Sequence, residues 1–293
     1  MSGLSRRAFL RTGAGAAAAF AVGRDGEAQG ELPPRSRVVL IRDPELINDD
    51  GTVNGPAVRR MLNDAVVRLV EAEVPSEAWA TLFRPGDVVG IKSNVWRYLP
   101  TPPALEEAIR DAVRGAGVKP EDVGVDDRGV RTNPLFERAT ALVNIRPMRT
   151  HHWSGLGTLI KNYIMFVPSP PAYHGDACAT LGAIWKLPEL EGKTRLNVLV
   201  MLTPQFHGVG PHSFSERYVW PYAGLIVSRD PVAADATGAR IIAAKRREFF
   251  GEERPISPPP HHIEIAAERY GLGVADPDRI ELIRLGSAEA WLI

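Results

Sequence analysis

The residues able to do chemistry crowd into one stretch: Arg149-Thr150-His151-His152-Trp153-Ser154-Gly155-Leu156-Gly157-Thr158-Leu159-Ile160-Lys161-Asn162, then Tyr173-His174-Gly175-Asp176-Ala177-Cys178. It contains the chain's only cysteine and a lysine set among apolar residues. Histidine changes charge near neutral pH and ligates transition metals. A lysine in apolar surroundings can have its pKa pushed down until it serves as a base or nucleophile. Successive side chains diverge, so His151 is expected to face a cleft and His152 to take a structural role. Ser154-Gly155-Leu156-Gly157-Thr158 reads as a turn opening a helix through Phe166. Its free N–H groups would seat an anion, with Gly155 and Gly157 against the ligand and Lys161 in the first turn. His174 and Cys178 would share a face if their stretch were helical, giving a metal pair; Cys178 reads equally well as a small buried apolar residue.

These residues need a scaffold, and the pattern from Arg35 onward supplies an α/β one, a mostly parallel sheet flanked by helices. Strands are expected at 36–41, 87–91, 123–125, 141–145, 196–202, 225–227 and 279–285. Helices are expected at 56–72, from a Thr101 cap to 113, from Asp230 to about 245, and at 263–269. Polar residues follow the strands: Lys92-Ser93-Asn94, Asp126-Asp127-Arg128, Arg149 with His151, Gln205 with His207, and Ser228-Arg229-Asp230. Loops after parallel strands gather on one edge, so the site is expected at the C-terminal strand edge. There Lys92 and Arg149 would bind an anion, Asn94 would orient it, and Asp127 would orient a histidine or bind a hydroxyl or metal. Asp230 before Pro231 reads as a helix N-cap, Asp235 has no assigned role, and His207 and His212 flank a glycine-rich loop that could wall the cleft. His261 and His262 read as surface or capping residues.

Composition narrows the function classes. Thirty-five basic residues balance 35 acidic ones, which gives no field for nucleic acid or an anionic membrane. One cysteine allows neither an internal disulfide nor a four-cysteine iron-sulfur cluster. Residues 1–30 read as an address: Ser5-Arg6-Arg7-Ala8-Phe9-Leu10 resembles a twin-arginine export signature, followed by a short apolar run from Gly13 to Gly23. The expectation is a protein handled by the twin-arginine machinery and delivered outside the cytoplasm, to a periplasmic or similar space, without a stable membrane span.

The runs Asp87 through Asn94, His151 through Asn162, His174-Gly175 with Cys178, and Ser228 through Asp235 resemble the domain-of-unknown-function 362 family, in particular members with a twin-arginine signal. The resemblance implies one α/β domain over 31–293. The chain departs from the family pattern in its 196–202 strand, which is apolar where many relatives carry an acidic residue, and in lacking ferredoxin-type cysteine motifs. A more distant similarity, to lactate racemases holding a nickel pincer nucleotide, rests on a histidine ten residues before a lysine, as His151 precedes Lys161. It implies Lys161 as cofactor tether, His174 with His151 as metal ligands, and His151 as acid/base. Two functions follow as expectations: an enzyme working on a small anion with a His/Lys cleft, with or without a metal or nucleotide-like cofactor, or a non-catalytic binding protein for a small acidic ligand or metal.

Overall fold

In the computed structural model the described residues are 35–293 apart from 209, 211–213, 288 and 290. The export signature and His212 therefore lie outside them. Eight strands form one sheet: β1 Ser36–Arg42, β2 Val89–Lys92, β3 Val123–Asp126, β4 Ala141–His151, β5 Gly155–Gly157, β6 Thr194–Gln205, β7 Gly224–Ser228 and β8 Ile280–Gly286. Their order is β3-β2-β4-β6-β7-β1-β8, with β5 paired to β4. The helices are α1 Gly55–Val70, α2 Pro75–Leu82, α3 Pro103–Gly115, α4 Pro134–Glu137, α5 Leu159–Asn162, α6 Pro231–Phe250 and α7 His262–Glu268. No helix among the described residues is long and apolar enough to cross a membrane.

The sheet is apolar on both faces because both are covered. On β1, Val39 and Ile41 pack with α1, α2 and α3, while Val38 and Leu40 pack with α6. This is why such strands read as unbroken hydrophobic runs rather than alternating ones. Burying each of these side chains contributes roughly 1.5–3 kcal/mol.

Strand direction decides which loops reach the site. β2, β3, β4 and β6 run parallel, but β7 is antiparallel to both β6 and β1. The loop Ser228-Arg229-Asp230 therefore opens at the opposite edge, where Asn197 at the start of β6 donates to Arg229 O at 3.2 Å. That corrects the expectation that it joins the others. β2 connects outward to β3 and β4 connects the other way to β6, so the order reverses between β2 and β4. In open α/β sheets a crevice opens at that point.

Local expectations shift as well. Thr101 does not cap α3; Pro102 holds that position, and Thr101 Oγ1 accepts the Asn94 N–H at 3.2 Å. The predicted 141–145 strand continues to His151, so Arg149 and His151 stand on a strand rather than a loop. The helix expected through Phe166 is a single α turn followed by a 3-10 turn, and α2 had no sequence expectation. Asp230 does cap α6, accepting from Val232 N and Ala233 N.

Candidate functional site

β4 carries the site's two arginines. In a regular strand residues three apart face opposite sides. Between Pro147 and Arg149 the register with β6 shifts, and such an irregularity re-aims the side chains beyond it. Arg146 and Arg149 consequently meet at Gly157, where a Cβ would lie 3.0 Å from Arg146 Nη2 and 3.3 Å from Arg149 Cγ.

A chain of hydrogen bonds fixes Arg149 from below. Lys92 Nζ donates to Asp127 Oδ1 at 2.5 Å, Ser93 O at 2.7 Å and Asn162 Oδ1 at 3.3 Å. Asp127 Oδ2 accepts the Val95 N–H, which shapes the loop after β2. Asn162 donates to Asn144 Oδ1, Ile145 O and Lys92 O, and accepts from Asn94 Nδ2. Asn94 Oδ1 in turn accepts from Arg149 Nη1 at 3.1 Å, and the Arg149 guanidinium carbon sits 4.5 Å over the Trp96 ring. Lys92 and Asp127, expected to bind ligand, instead satisfy one another and position Asn94 and Asn162.

The anion seat expected at the glycine-rich turn is filled by the chain itself. Asp235, on the first turns of α6, accepts the N–H groups of Leu159 and Ile160, both at 2.9 Å. Gly155 and Gly157 form a strand, not a phosphate cradle. Gly155 has φ +70 and lies so close to Pro258 that a Cβ would sit 2.1 Å from its carbonyl oxygen. Only glycine combines that conformation with that approach.

Lys161 is buried on α5 with Nζ 3.6 Å from Cys178 Sγ. The turn that delivers Cys178 has positive φ at Asp176, Ala177 and Cys178, so His174 and Cys178 do not share a helix face. His174 instead stacks on Trp153, ring centres 3.9 Å apart. His152 does not turn away from His151: the rings stack at 5.0 Å, and His152 Nδ1 lies 3.2 Å from Gly210 O. His151 Nδ1 accepts the Trp153 N–H at 3.2 Å, which assigns the imidazole proton to Nε2. His262, expected at the surface, is fully buried with Nε2 3.0 Å from Thr158 Oγ1.

The electrostatics follow from this crowding. Burial lowers the Arg146 pKa to about 10 and holds Arg149 well below its usual value, with Arg146 repelling it further. Burial brings Lys161 to about 8, the nearby arginines adding to the effect while Cys178 opposes it. Desolvation, then Lys161 and the two arginines, keeps His151 neutral far below its ordinary range. Burial lowers the half-exposed His174 to about 4. Among the described residues, Arg146, Arg149 and Lys161 form no salt bridge with a carboxylate. Buried cations are ordinarily paired.

The model of a family described as Domain of unknown function (DUF362) matches residues 89–240. The chain belongs to the DUF362 family. The matched segment contains Lys92, Asn94, Asp127, Arg146, Arg149, His151, Lys161, His174 and Asp235 of this DUF362 chain, while His262 lies beyond it. No curated protein and no solved structure matches.

Of the expected residues, Asn94, Arg149, His151, Lys161 and His174 come together; Lys92 and Asp127 support them from beneath. Among the described residues no group of three or more His, Cys, Asp or Glu could hold a metal ion. His151 and His174 have ring centres 6.4 Å apart with no third ligand. These residues do not fit a metal held by protein ligands. Sequence reasoning missed Arg146, Asn162 and Asp235, and placed Gln205 at the strand edge without giving it a role. Arg146 had one signal, an arginine placed directly after Ala141–Ile145, a strand apolar except for Asn144.

Proposed function

We propose that this DUF362 protein binds a small organic anion between Arg146, Arg149 and Lys161 and transfers a proton on it. The observation carrying this reading is the burial of these three cations with no carboxylate partner among the described residues. A desolvated charge of one sign is costly when empty and attractive to its counter-ion.

The protonation states suggest a division of labour. His151 is neutral with its proton on Nε2, so it is a hydrogen-bond donor to oxygen rather than the general base first expected. Lys161, at about 8, is the group that can exchange a proton near neutral pH. Bound anion charge offsets the cations and raises the proton affinity of both. A non-catalytic anion-binding protein would share the first half of this description. Thermal unfolding with phosphate or small carboxylates separates the possibilities: anions should raise the melting temperature of the wild type and not of Arg146→Met. Equal stabilisation of both proteins would remove the anion site. Solvent deuterium exchange into a bound carbon acid, lost in Lys161→Met, would mark the enzyme.

We also infer export by the twin-arginine route from Arg6-Arg7 and the apolar run behind them. Replacing both arginines by lysine should leave the protein in the cytoplasm; unchanged delivery would refute the route.

A further inference from the structure

Polar atoms left unused beside Arg149 bear on what the anion carries next to its charge. Gln205, at the end of β6, is fully buried, and among the described residues neither its amide oxygen nor its amide nitrogen has a hydrogen-bond partner. Thr150 Oγ1 and Arg149 Nε are also buried and have no hydrogen-bond partner among the described residues. Because both ends of the Gln205 amide are unmet, the observation holds whichever way the amide is turned.

Gln205 and Arg149 are register partners on β6 and β4, so the pleat directs both side chains to the same face. Trp96 spans them. Its ring lies over the Arg149 guanidinium at 4.5 Å, and its edge reaches the neighbourhood of Gly210. A Cβ on Gly210 would lie 3.5 Å from Trp96 Cη2, 3.3 Å from Gln205 Oε1 and 3.0 Å from Thr150 O. The Gln205 amide and the Arg149 guanidinium therefore both lie beside Trp96, with Gly210 next to the amide.

We propose that Gln205 reads a primary carboxamide carried beside the anionic group, which makes the ligand a short amide-bearing carboxylate. This rests on the anion reading of Arg146, Arg149 and Lys161. A glutamine amide presents an acceptor and a donor side by side. A second primary amide presents the same pair reversed and satisfies both atoms at once, whereas a hydroxyl satisfies them one at a time. Leaving either atom unmet on binding is penalised, so such a site discriminates against an isostere that lacks the donor.

Binding calorimetry on the full chain tests this with matched pairs differing only in NH2 against CH3: oxamate and pyruvate, malonamate and acetoacetate, succinamate and levulinate. At one length or more the amide should bind about tenfold tighter or better, and Gln205→Met should erase that preference while keeping affinity for the ketone. Gln205→Glu, which keeps the shape and adds a negative charge, should weaken every carboxylate, and both variants are checked for folding by circular dichroism. If all six carboxylates bind but each pair differs by less than about twofold, the Gln205 assignment fails and the anion site stands. A preference that survives in Gln205→Met overturns the assignment equally and also leaves the anion site standing. If none of the six binds, the anion site itself fails and takes this assignment with it.

Discussion

The carboxylate of Asp235 holds the N–H groups of Leu159 and Ile160, tying the first turns of α6 to the start of the helix that carries Lys161 and Asn162. Burial raises its pKa to about 7, while the two N–H bonds oppose that rise. Asp235→Ala strands two buried N–H donors, at a cost of about 1–3 kcal/mol each. The variant should unfold at lower denaturant concentration by that amount and lose anion-induced stabilisation, since Lys161 moves with α5. An unchanged midpoint would show that the contact adds nothing.

Arg146 should behave oppositely. It has no salt bridge among the described residues, so replacing it with Met removes a desolvated charge instead of breaking a pair. Replacing buried charge by packed apolar atoms is commonly neutral or stabilising by about 1–4 kcal/mol. Arg146→Met is expected to be at least as stable as wild type without anion and to bind anion at least tenfold more weakly, roughly the 1.4 kcal/mol step of one decade. Chemical denaturation and calorimetry check the two halves separately.

Lys161 sets the pH dependence of binding. Its pKa is lowered to about 8 by burial, so above that value the site loses one positive charge. Anion affinity should fall as pH rises through about 8 toward 10, and Lys161→Arg, charged throughout, should flatten the profile. A wild-type affinity constant across this range would take Lys161 out of the site.

His262 predicts acid sensitivity. Burial lowers its pKa to about 3, with Lys161 and Arg146 adding repulsion. The unfolded chain binds a proton near the ordinary value of about 6.5 and the folded chain does not. Stability is therefore full above that value and is lost as pH falls toward 3. A shift of this size corresponds to a few kcal/mol, on the order of 1.4 per unit. His262→Gln should show a shallower decline of denaturation midpoint between pH 6.5 and 4; an identical slope would assign the acid loss to other groups.

Gly155 has a steric prediction. With φ +70 and the Pro258 carbonyl in the way, Gly155→Ala must strain the backbone and displace the 256–258 loop. A loss of roughly 2–4 kcal/mol is expected, combining an unfavourable φ with overpacking. Gly175→Ala, with nothing within 4 Å and no positive φ, is the matched control and should be near neutral.

The sequence by itself determined the alternation of strands and helices, the Asp230 cap, and the gathering of Asn94, Arg149, His151 and Lys161. Each of these depends on local periodicity or on the strand ends and connections that gather at one edge of parallel strands. Only the tertiary structure decided the rest. The direction of β7 removed Arg229 from the site, because hydrophobic runs look the same read along either direction. A register shift in β4 brought Arg146 beside Arg149, although their spacing alone would have parted them. Asp235 filled the helix end that Gly155 and Gly157 were expected to offer a ligand, across 76 residues of chain. His262 was buried by a partner 104 residues away. Short-range patterns record which side chains avoid water, but which distant group meets a given N–H or imidazole depends on pairing between strands and helices far apart in the chain.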